Sequence, residues 1–200
     1  AVLYLVAKGG EAGSATGTGP NPATTLMALV GSEPPAQVTI NELTTVASAF
    51  VAAQFLDGTD MTGTAVGLKI ASRNVPNFVD LETGGLGPVI SDTLNAPRTT
   101  TLAKFNTLGI LLSGCITAIP DACDKLFAAA TLPDGEVPTD TLQAAQNIAR
   151  HPWHNAESLF ALLDEFHPIA DGARYRDVAH VPYLFHAPSA WTLSLVYGGG

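Results

Sequence analysis

All five histidines of this 200-residue chain fall after position 150, as His151, His154, His167, His180 and His186, with Asp164, Glu165, Asp171 and Asp177 among them. Imidazole and carboxylate bind transition metals and move protons near neutral pH, so a metal-dependent or acid–base hydrolase would have to be built here. The tightest pair, His151 and His154, straddles Pro152 and therefore does not share a helical face. The other three lie in a stretch with no readable period. Surface and capping roles are the expectation for these histidines, with His151 and His154 only weak metal candidates and no cofactor expected.

A second constellation sets Glu42, a conceivable general base, on one helical face with Thr45 or Ser48. A carboxylate beside hydroxyls makes no catalytic triad without a positioned histidine. The plainer reading has Asn41 capping a helix, Glu42 at the positive end of its dipole, and Thr44 and Thr45 bonding back to carbonyls. No Gly-x-Ser-x-Gly elbow occurs, and the glycine-rich run at 13–19 lacks the Lys-Ser or Lys-Thr of a phosphate cradle. Trp153 and Trp191, with Tyr175, Tyr183 and Phe185, would suit a flat carbohydrate-binding face, although core or interface roles are the commoner fate of aromatics in a chain with few charges. A non-catalytic protein is the expectation.

Cys115 and Cys123 enclose seven residues between two helical patterns. This span closes as a disulfide and places the protein in an oxidising compartment. Zinc would need a further close ligand pair and a tighter cysteine spacing.

Apolar residues make up 46% of the chain and charged residues 14%, enough to bury a core and too apolar for disorder. Nine Lys and Arg against 18 Asp and Glu leave a net charge of −9, which repels nucleic acid and anionic lipid. No run approaches the roughly 18 apolar residues of a membrane span. The chain opens at Ala1 without an initiator Met or a signal-peptide pattern, which suggests a removed leader or a start inside a longer protein.

The elements that must position these residues follow from periodicity and punctuation. Val2, Leu3, Tyr4, Leu5 and Val6 form a strand within residues 1–8 that stops at Gly9-Gly10. Asn21 and Pro22 read as the cap and first position of a short helix through Leu26, Met27, Leu29 and Val30. Longer helices are predicted over 41–56, over 65–79 with Pro76 kinking or ending the regular part, and over 99–116 with Gly109 allowing close approach. Shorter ones follow over 124–130, after a Thr139 cap, and from an Asn155 cap to Phe166. The stretch 169–190 has no period. Thr192, Leu193, Ser194, Leu195, Val196 and Tyr197 alternate like a half-buried strand within 191–198, with residues 2–6 as their natural partner.

The expected fold is thus a single mainly α domain over 1–200, a bundle of about six helices with a small β element. Its N- and C-terminal strands pair together or with another chain, because a two-stranded ribbon alone is marginal in water.

Several stretches carry a family resemblance. They are Leu3-Tyr4-Leu5-Val6-Ala7-Lys8-Gly9-Gly10, Ile40-Asn41-Glu42-Leu43-Thr44-Thr45-Val46-Ala47-Ser48, Phe105-Asn106-Thr107-Leu108 with Cys115 and Cys123, Pro138-Thr139-Asp140-Thr141-Leu142-Gln143-Ala144-Ala145, and Trp191-Thr192-Leu193 with the closing glycines. Together they resemble a helical domain of large secreted surface proteins of Acidobacteria-type bacteria. That domain usually lies between an Ig-like or carboxypeptidase-regulatory-like sandwich and an NHL-type propeller. The resemblance implies an extracellular or cell-surface location and a structural role, and brings no catalytic residues. Both flanking domains are missing here, which suggests a fragment or a free-standing version whose strands need new partners, and His151-Pro152-Trp153-His154 departs from the usual Gly and Asn. The expected partners are accordingly other copies, in a homo-oligomer or fibre, or flanking domains.

Overall fold

The computed structural model describes residues 1–11, 19–166 and 184–198. Among them the chain is mainly helical. Strands β1 (Leu3–Lys8) and β2 (Thr25–Gly31) precede helix α1 (Glu42–Val51), the short strands β3 (Leu56–Asp57) and β4 (Asp60–Met61), and helix α2 (Ala65–Phe78). Helices α3 (Thr101–Ile116), α4 (Ala122–Ala129), α5 (Thr141–Arg150) and α6 (Ala156–Phe166) complete the order.

α3 is the central helix, packed against α1, α4, α5 and α6. Phe105, Leu108, Leu111 and Leu112 bury its stripe almost completely. Two glycines let its neighbours approach. A Cβ on Gly109 would meet Leu43 of α1 at 2.7 Å, and one on Gly114 would meet the Phe166 ring of α6 at 2.6 Å. Local signals set the helix starts. Asn41 accepts from the Thr44 N–H while Thr44 accepts from the Asn41 N–H, a reciprocal capping box. Asp140, one residue later than the expected Thr139, caps α5 by accepting from the Gln143 N–H at 2.9 Å.

Other expectations are corrected. Residues 25–31 form a strand, not a helix: Asn21 turns the chain by accepting from the Ala23 N–H, and its amide donates to the Cys115 carbonyl. The run from Leu26 to Val30 is almost wholly buried, and short apolar runs of this kind suit a buried strand as well as a helix. β1 therefore pairs antiparallel with β2, Leu5 opposite Ala28 and Ala7 opposite Leu26, and not with residues 192–197. Those C-terminal residues are extended but belong to no strand. Asn155 sits at φ 51°, in the left-handed region that asparagine tolerates, and is not an extended cap. Pro76 lies inside the last turn of α2, whose final bond runs from the Val79 N–H to the Val75 carbonyl.

Candidate functional site

The two edges of β2 are treated differently. Its N–H groups at Thr25, Met27 and Leu29 point away from β1 and donate to the hydroxyls of Thr141, Thr45 and Ser48, at 3.0, 3.0 and 2.9 Å. Each hydroxyl passes its own proton on: Thr45 to the Asn41 carbonyl, Ser48 to the Thr44 carbonyl, and Thr141 to the Thr25 carbonyl. All three side chains are buried. An edge that would cost several unmet hydrogen bonds in the core is closed by helix hydroxyls where a third strand would otherwise stand. Thr45 and Ser48, read from sequence beside Glu42 as a conceivable acid–base set, are thereby committed to the backbone.

β1 has no such cover among the described residues. Since the ladder bonds of β2 run through Leu26 and Ala28, their partners Ala7 and Leu5 face inward. Tyr4, Val6 and Lys8 then turn their N–H and C=O groups to the free edge. Val2, Tyr4 and Val6 pack their side chains on the core, while Leu3 and Leu5 on the opposite face are 50% and 44% exposed. An open edge with two exposed leucines is the arrangement that invites another strand.

The C-terminal segment presents a second open edge. Fully buried Trp191 anchors it, donating its backbone N–H to the Pro152 carbonyl at 2.7 Å. From there, among the described residues, only side chains hold the backbone. Lys104 donates to the Thr192 carbonyl, Thr101 to the Ser194 carbonyl at 2.6 Å, and buried Asn95 both donates to and accepts from Val196, at 2.9 and 2.8 Å. Burial lowers the Lys104 ammonium below its ordinary pKa. These partners take one edge. The backbone groups of Leu193 and Leu195 have no partner among the described residues, and their side chains line a groove of 260 Å³ with Phe50, Phe78 and Tyr197.

Among the described residues the remaining candidates do not converge. Cys115 and Cys123 are joined as a disulfide between the end of α3 and the first turn of α4. His151 and His154 flank a void of only 10 Å³ with Asn147 and Thr131, and the buried His151 Nδ1 has no partner. Among the described residues no three His, Cys, Asp or Glu side chains are placed to hold a metal ion. Glu165, expected near them, pairs with Lys125, and both side chains are about half exposed. His167, His180, Asp171, Asp177, Tyr175 and Tyr183 lie outside the described residues. The two tryptophans share no exposed face: Trp153 is 64% exposed, edge-on to His151, while Trp191 is fully buried. No helix among the described residues is long and apolar enough to cross a membrane.

The two open segments were visible in sequence, residues 2–6 as an unbroken apolar run and residues 192–197 as apolar alternation. The hydroxyl closure of β2 was not, because nothing local to Thr45, Ser48 or Thr141 announces a partner elsewhere in the chain. No family model matches the sequence, and neither a curated protein nor a solved structure matches it.

Proposed function

We propose that this chain is a non-catalytic structural domain of an extracellular or cell-surface bacterial protein that assembles through its terminal segments. The observation that carries the reading is the pair of open backbone edges, that of β1 and that of the extended residues 192–197, each flanked by apolar side chains. Strand addition supplies both with backbone hydrogen bonds. Joining β1 of one copy to the C-terminal edge of the next is a head-to-tail contact, and such contacts grow into an open filament unless the rotation closes a ring. In a longer chain, flanking domains would meet the same two edges. The disulfide supports an oxidising location, and the resemblance to secreted surface proteins agrees with it.

Light scattering behind size-exclusion chromatography, with negative-stain electron microscopy, tests the reading. Concentration-dependent oligomers or fibres are expected of the native chain and should be lost in Leu3→Lys/Leu5→Lys, whose altered side chains are exposed in the monomer. A monomer at all concentrations would overturn self-assembly.

A further inference from the structure

On the surface formed by the end of β2, the last turn of α2 and the loop at 80–88, the molecule carries an open cleft of 620 Å³. We infer that this cleft binds a small organic cation, an ammonium or guanidinium head on an apolar body. The inference is independent of the assembly edges.

The floor and walls are apolar, from Val79, Leu81, Leu86 and Pro76, while Glu33, Asp80 and Glu82 line the same cleft and, among the described residues, no Lys, Arg or His does. A cleft of this size falls within the range of small-molecule sites, roughly 300–1,000 Å³. Its lining distinguishes between ligand classes. Carboxylates without a balancing cation exclude anions and favour positive charge. Among the described residues no Phe, Tyr or Trp lines the cleft to offer the stacking platform of a sugar site. The three carboxylates are also not placed to share a metal ion, so the matching cation is one whose charge sits at the end of an apolar body.

The wall is preformed, which spares a ligand the entropic cost of ordering it. Asp80 accepts from the N–H groups of Glu82 and Thr83, at 2.8 and 3.3 Å, and its backbone bonds to Gly84 and Gly85 close the turn. Thr39 ties the loop down from outside, donating its N–H to the Leu81 carbonyl at 2.8 Å and its hydroxyl to the Glu82 carbonyl at 2.6 Å. Asn41, already the cap of α1, donates to the Gly84 carbonyl at 2.9 Å. The backbone of the loop is thus held, while the carboxylates of Glu33 and Glu82 stay exposed.

Isothermal titration of the whole chain with octylammonium, against octanoate and octan-1-ol as matched probes, tests the inference. Saturable one-to-one binding of octylammonium is expected, with no measurable binding of octanoate and at least five-fold weaker binding of the alcohol. Each exposed carboxylate should contribute roughly a two- to five-fold factor, so Glu33→Gln/Glu82→Gln should weaken octylammonium by about four- to twenty-five-fold. Leu86→Arg, which sets a guanidinium at the cleft, should abolish binding. Absence of saturable octylammonium binding, equal affinity for the alcohol or octanoate, or an affinity unchanged in the double variant would each overturn the assignment.

Discussion

Thr45, Ser48 and Thr141 supply to β2 the acceptors that a neighbouring strand supplies in a larger sheet. The consequence is measurable, because removing a hydroxyl while keeping the shape leaves a buried N–H unmet, at a cost of about 1–3 kcal/mol. Thr45→Val, which orphans the Met27 N–H, and Ser48→Ala, which orphans that of Leu29, are each expected to lower the urea midpoint accordingly. Were these hydroxyls instead part of a reactive site, both variants would alter chemistry and leave stability largely intact. Asp80 is a residue-scale test of the cleft wall. The N–H of Glu82, and after it that of Thr83, holds its carboxyl below the ordinary 3.8. A depressed folded pKa gives stability that is present above 3.8 and lost as pH falls through the folded value. Acid should therefore loosen the turn at 80–85, and Asp80→Asn should remove that pH dependence, both read from amide exchange of Glu82 and Thr83.

At the scale of elements, what sequence could reveal was set by how far each element's partners lie along the chain. α1, α3 and α5 are legible because their apolar periods are local, as is the Asn41 cap of α1, and Gly109 is legible as a close approach because it interrupts a helical stripe. β2 is not, since five apolar residues in a row fit strand and helix alike. Only the pairing with Leu5 and Ala7 and the hydroxyls of two later helices decide between them. Residues 192–197 alternate like a strand yet pair with side chains, because Asn95 and Thr101 occupy the place where a strand backbone would lie. The candidate site was half legible for the same reason: its open edges show in the apolar run of 2–6 and the alternation of 192–197, while the closed one depends on distant hydroxyls.

Two substitutions on α3 separate helix propensity from packing. Alanine in a helix interior gains about 1 kcal/mol over glycine. At Gly109 the new methyl meets only the end of Leu43, so Gly109→Ala should be nearly neutral. At Gly114 it meets three atoms of Phe166 at 3.0 Å or less, and Gly114→Ala should destabilise by about 1–2 kcal/mol, overpacking exceeding the propensity gain. Paired Cys115→Ser/Cys123→Ser should cost about 2.5 kcal/mol in the loop-entropy account, because the bridge closes a short loop. Thermal denaturation of the three variants orders them.

The whole molecule is acidic, with a net charge of −9, and its copies repel at low ionic strength. Assembly through β1 should therefore strengthen as salt is raised from low values, the reverse of a contact held by ion pairs. Its most direct test is amide hydrogen exchange at Tyr4 and Val6, whose N–H groups face the free edge, with Leu5 and Ala7 as internal controls already paired to β2. Strand addition predicts that protection at Tyr4 and Val6 rises with protein concentration while Leu5 and Ala7 stay constant, and that Leu3→Lys/Leu5→Lys removes the rise. Rapid exchange at Tyr4 and Val6 at every concentration would contradict assembly through this edge.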